Sequence, residues 1–165
     1  MTHFKKRGNK EQYVPYKNNG TSCSISYGFT PLLDKNGNET HLGEWYTKTY
    51  NRIPTKSEIQ QDILSFYNEK ISEKILKGLR WKNIPIWLST ENQYNYKAAY
   101  DIAVQTEGKN LPVIFKLGDS NSPTYYEFKT VEELTDFYVT VWNFIQKTLM
   151  EGWKTKDNID WKLYE

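Results

Sequence analysis

At 165 residues, with 22 Lys and Arg against 20 Asp and Glu, the chain has the length of one domain and a formal net charge of only +2. That near balance argues against a nucleic-acid partner, and three arginines (Arg7, Arg52, Arg80) offer little bidentate recognition of phosphates or bases. A single cysteine, Cys23, excludes an intrachain disulfide and a cysteine-based zinc site, and two histidines, His3 and His41, are too few for a histidine-rich metal centre.

Hydrophobic residues make up 38% of the chain, which is low for a self-contained globule, whereas aromatics reach 16%, with 13 Tyr and 6 Trp. Both residue types combine large contact area with a polar handle, so they serve equally to roof a sparse core or to line an interface. No apolar run approaches the ~20 residues of a membrane span, and the polar, basic start predicts no signal peptide.

Residues 1–20 show neither a helical nor an alternating period and carry five basic residues against one acid, Glu11. They read as an extended or disordered arm. Phe4, Tyr13 and Tyr16 would be its anchors and Lys5, Lys6 and Arg7 its charge, ordering on a partner. Deleting this arm is expected to spare the fold and abolish attachment. Residues 21–53 read as a β-hairpin attachment region: strands over 22–33 and 39–50 flank Asp34-Lys35-Asn36-Gly37-Asn38, where Asn-Gly predicts a type I′ turn. Trp45 and Tyr46 on its second strand join the expected partner-binding residues. A two-stranded hairpin is marginal alone, so it needs a cover.

Residues 54–165 read as a compact domain of helix, hairpin, helix, hairpin and helix. Thr55-Lys56-Ser57-Glu58 is a capping box, followed by Ile59, Ile63, Tyr67, Ile71 and Ile75 at four-residue spacing, widened by Phe66 and Leu76 and closed by Gly78. Short strands at 79–81 and 84–88 precede a helix capped by Ser89, with Tyr96, Ala99, Tyr100, Ala103 and Val104 on or near one face. A second hairpin, 111–117 with 124–129, leads to the box Thr130-Val131-Glu132-Glu133 and a helix ending or bending at Gly152-Trp153. A last turn packed by Ile159 and Trp161 closes the chain. The fold class is α+β.

Catalytic chemistry is hard to find. No serine sits in a nucleophile-elbow context, no phosphate loop is present, and Cys23 with His41 across the first hairpin is the one nucleophile–base pairing to check. Glu132, Glu133, Asp157, Asp160 and Glu91 could serve glycoside hydrolysis, but the first two sit at a helix start, where negative charge suits the dipole. The expectation is a non-enzymatic protein without catalytic residues, cofactor or metal. Trp81, Trp87 and Trp153 are its candidate ligand or interface aromatics.

The stretch Trp87-Leu88-Ser89-Thr90-Glu91-Asn92-Gln93-Tyr94-Asn95-Tyr96-Lys97-Ala98-Ala99-Tyr100, with residues 129–134 and 151–157, resembles an uncharacterised fibre-associated domain of bacteriophage structural proteins. The resemblance covers about residues 55–165, and the A/T-rich residue usage is similar to that of crAss-like phages. It implies a head-fibre or fibre-base virion protein, assembled in the host cytoplasm. Its partners would be capsid, portal or fibre subunits; a homodimer and no membrane partner are expected, and the charge and arginine content already weigh against nucleic acid. Two other readings, a fibre-assembly chaperone and a carbohydrate-binding receptor module, are weighed beside it.

Overall fold

The computed structural model describes residues 3–119 and 121–165; residues 1, 2 and 120, from the expected arm and the second hairpin loop, lie outside the described residues. Strands and helices are both present, so the class is α+β. The chain divides into two compact units, Met1–Phe66 with Asn158–Glu165, and Tyr67–Asp157. The division falls within helix α1 (Lys56–Lys77), about 13 residues past the boundary expected at 53/54.

The first unit is built on strands β1 (Phe4–Asn9), β2 (Tyr16–Asn18), β3 (Cys23–Leu33) and β4 (Glu39–Tyr50), ordered β1-β4-β3-β2. The segment expected as an arm is therefore the two edges of this sheet, with Phe4 opposite Thr47 and Tyr16 opposite Ile25. Edge strands are short and charged because exposed edges must not recruit foreign strands, so they lack an alternating apolar pattern. Deleting residues 1–20 would strip both edges, which removes the expectation that the fold survives it.

The β3–β4 connection also departs from expectation. Of Asn36 and Gly37 only Gly37 lies at positive φ (82°), so the turn is not type I′. Asp34 organises it instead, its Oδ1 accepting from the backbone N–H of Asn36 at 2.8 Å and of Asn38 at 2.9 Å.

Opposite pairs in an antiparallel ladder share a face, which places Cys23, Ile25 and Tyr27 with Tyr50, Lys48 and Tyr46. The first half of α1 covers this face: the Phe66 ring lies 5.1 Å from that of Tyr27 and 4.4 Å from that of Tyr46. A bulge follows at Gly28 (φ 68°), where three residues of β3 pass two of β4. The slip sends Phe29 to the face opposite Tyr27, where it stacks on Trp45 at 6.1 Å beside Tyr13 at 5.2 Å. Tyr164, in the 3₁₀ turn Trp161–Tyr164, donates its hydroxyl to the Ser26 carbonyl at 3.0 Å and so brings the C-terminus into this unit.

In the second unit, β5 (Leu79–Trp81) and β6 (Ile84–Ile86) pair across Lys82 and Asn83, both at positive φ (47° and 64°), as a type I′ turn requires. Then come α2 (Thr90–Gln105), β7 (Val113–Gly118), β8 (Pro123–Phe128) and α3 (Val131–Asp157). The core is aromatic: Trp81 stacks on Phe128 at 5.5 Å and meets Phe137 edge-on at 5.1 Å, while Leu134, Phe137 and Val141 of α3 are buried against it.

Helix caps follow the sequence closely. Thr55 Oγ1 accepts from Glu58 N at 3.3 Å while the Glu58 carboxylate accepts from Thr55 N at 2.8 Å, and Ser89 accepts from Asn92 N at 3.2 Å. The box at 130–133 is half formed: Thr130 caps Glu133 N at 3.2 Å, but the Glu133 carboxylate binds Lys82 Nζ at 2.7 Å and the Tyr126 hydroxyl. Helix α3 also continues through Gly152 to Asp157. A Cβ there would meet the Ile71 side chain of α1, so the glycine marks a close helix approach rather than a terminus.

Candidate protein-binding surface

The sequence-expected residues part company in the first unit. Phe4, Lys5, Lys6 and Arg7 are exposed on β1, Lys5 reaching Glu44 on β4 at 2.5 Å. Tyr13 and Tyr16 are half-buried, and Trp45 is only 4% exposed, enclosed by Phe29 and Tyr13. Trp45 thus belongs to its own unit's packing and not to a partner contact, whereas Tyr46, its ring against Phe66, stays partly exposed. Alternating strand geometry explains why: neighbours on β4 are carried to opposite faces, and both faces of this sheet are covered.

The tryptophans of the second unit divide in a similar way. Trp81 is 4% exposed, with its indole N–H donating to Asp136 Oδ2 at 2.9 Å, and belongs to the core. Trp87 and Trp153 are about half exposed, at 48% and 49%. Trp142, at 52%, and Tyr94, at 70%, join them from outside the sequence-expected set. Both border a cleft of about 270 Å³ between α2 and α3, floored by Val141 and Ile145 with Gln93 and Lys97 at its rim. The signal that finds Trp142 in the sequence is a second apolar stripe on α3, offset from the inward one.

The titratable groups of the first unit are arranged for packing. Lys48 Nζ and the Tyr50 hydroxyl converge on Asp62 Oδ2 beneath the sheet, the lysine and aspartate side chains being 12% and 10% exposed. Burial, then the Asp62 carboxylate, push the Tyr50 phenol far above its ordinary value. Cys23 is fully buried, and burial raises its thiol. Its ladder partner is Tyr50, nine residues along β4 from His41, or about 30 Å at strand rise, so the Cys23–His41 pairing does not form.

Among the described residues no three His, Cys, Asp or Glu side chains are grouped to hold a metal ion, and no helix is long and apolar enough to cross a membrane. The surface that remains for recognition is thus a set of half-exposed rings on the second unit and a basic edge on the first. No family model matches the chain, and neither does any curated protein or solved structure.

Proposed function

We propose that the protein is a non-enzymatic bacteriophage virion structural protein, a head-fibre or fibre-adaptor subunit that assembles as a homodimer. In this reading it acts by binding capsid, portal or fibre proteins, with attachment through its N-terminal region. The observation that carries a protein-binding role is the exposure of Trp87, Trp142 and Trp153, each close to half uncovered in a chain short of aliphatic residues. Tryptophan is enriched where interfaces concentrate their binding energy, because its large rigid face loses little conformational freedom when covered. The setting rests on the resemblance of residues 87–100, 129–134 and 151–157 to the phage fibre-associated domain.

The attachment surface in this reading is β1, whose outer edge has no strand partner among the described residues and whose Phe4, Lys6 and Arg7 side chains are exposed. Mass spectrometry of gradient-purified particles tests the setting. Peptides of this chain at a copy number comparable with other virion proteins are expected. Their presence in infected-cell lysate but absence from particles would reject the structural reading in favour of an assembly chaperone. Lys6→Glu with Arg7→Glu should lower incorporation into particles while leaving the circular dichroism spectrum unchanged.

A further inference from the structure

Helix α3 has two apolar faces. One carries Leu134, Phe137 and Val141 into the core of the second unit. The other carries Val139, Trp142, Met150 and Trp153, exposed by 44%, 52%, 63% and 49%. With Gln146 these form a line at spacings of three, four, four and three residues, within an arc of about 80° on a helix turning 100° per residue. A mean step of 3.5 residues is the spacing at which a straight stripe stays in contact with a second helix.

The stripe is also a palindrome about Gln146. Val139 and Trp153 lie seven residues either side of it, and Trp142 and Met150 four either side. An antiparallel copy sharing a two-fold axis at Gln146 therefore meets this stripe with every position matched: Trp153 against Val139, Trp142 against Met150, and glutamine against glutamine. Each large ring faces a smaller side chain, which is how opposed layers interdigitate without voids. The two amides at the axis can each donate to and accept from the other.

Charge agrees with this orientation. The first turn of α3 holds Glu132 and Glu133 and the last holds Lys154 and Lys156, so antiparallel copies place acidic ends against basic ends and oppose their dipoles. On the flank of the stripe, Asp136 of one copy faces Lys154 of the other. Among the described residues the Asp136 carboxylate accepts the Trp81 indole N–H and makes no ion pair, and Lys154 has none either.

We infer that the outer stripe of α3, Val139-Trp142-Gln146-Met150-Trp153, is the two-fold interface through which a second copy of this chain packs antiparallel. The inference rests on the homodimer reading and assigns it a surface, an orientation and an axis.

Light scattering behind a sizing column, on the full chain at two concentrations, reads the outcome. The dimer mass is expected for the wild type and the monomer mass for Trp142→Glu with Met150→Glu. Both residues are exposed, so far-ultraviolet circular dichroism of this variant should match the wild type. Gln146→Cys should cross-link to itself with a short bismaleimide, Cys23 being buried, whereas Trp142→Cys should not. Lys154→Glu should weaken the dimer on the order of tenfold, since two symmetric pairs turn repulsive.

A dimer that survives Trp142→Glu with Met150→Glu, or that cross-links through Trp142→Cys and not Gln146→Cys, overturns this interface and leaves the homodimer reading standing. A monomer at every concentration overturns both. Dimerisation through this stripe by a protein absent from purified particles would sustain the interface and reject the virion setting.

Discussion

The two units bury different chemistry. Beneath the sheet of the first, two β4 side chains two residues apart, Lys48 and Tyr50, converge on the single carboxylate of Asp62. The second encloses Trp81, Phe128, Leu134 and Phe137, with no charged side chain buried among that unit's described residues. A ring cluster is held by contact area and tolerates modest reorientation. A buried ion pair does not: its attraction offsets desolvation only while both partners stay in place. The contrast shows how a chain poor in aliphatic residues closes two interiors, one with large rings alone and one that also fastens a strand to a helix through a carboxylate.

Mutations can break that comparison. The largest effect is expected from Asp62→Ala, which removes the carboxylate facing a buried lysine and should lower stability by about 3–5 kcal/mol in urea titration. Lys48→Met with Asp62→Leu should recover most of that loss, because neither charge then needs compensation. A double variant as unstable as the single one would mean that the carboxylate's bond to Tyr50, rather than the ion pair, holds the strand to the helix.

In the second unit Leu134→Ala leaves a cavity and should cost about 3 kcal/mol, with no charged residue whose replacement relieves it. A smaller loss, about 2 kcal/mol, is expected of Gly152→Leu, because the new side chain overlaps Ile71. Ile71→Ala in the same chain should relieve it, and failure of that rescue would show that the loss does not come from this overlap.

The smallest and most diffuse effect is on pH. Asp34 and Glu58 in the first unit, and Glu73, Glu133 and Glu151 in the second, all titrate below the usual carboxylate range. Glu58 is held at about 2, chiefly by Arg52 and then by the backbone and hydroxyl of Thr55. Below its ordinary pKa the unfolded chain binds a proton that the folded chain still refuses. The stability Glu58 contributes is therefore full above about pH 4.5 and is lost as pH falls toward about 2. Thermal melts from pH 5 to 2 should show Glu58→Gln with a shallower decline than the wild type, and equal slopes would exclude this contribution. Acid loss is expected in both units, so pH separates them less sharply than Asp62→Ala does.

The elements readable from sequence were those whose signals are local. The Thr55–Glu58 box, the four-residue spacing of α1 and the Ser89 cap each need partners only three or four residues away. The half-exposed ring at Trp87 is legible as an interface candidate because it lies just past a strand end, whereas Trp153 and Trp142 lie inside α3, away from its inward stripe. Trp45 and Trp81 have the same composition-level signal as Trp87, and nothing nearby in sequence separates a ring that roofs the core from one that faces outward.

Sequence by itself determined the α+β class, the positions of three helices, most of their caps, and the hairpins that adjoin them, because hydrogen bonds and side-chain contacts within a turn or two decide these. Tertiary structure alone decided that residues 4–9 and 16–18 are sheet edges, that Gly28 turns Phe29 away from Tyr27, that Trp45 is core, and that Tyr164 returns to Ser26 across 138 residues of chain. Each of these depends on a partner far along the chain. Contacts at that separation leave no period in the sequence, since the loop between them absorbs any register.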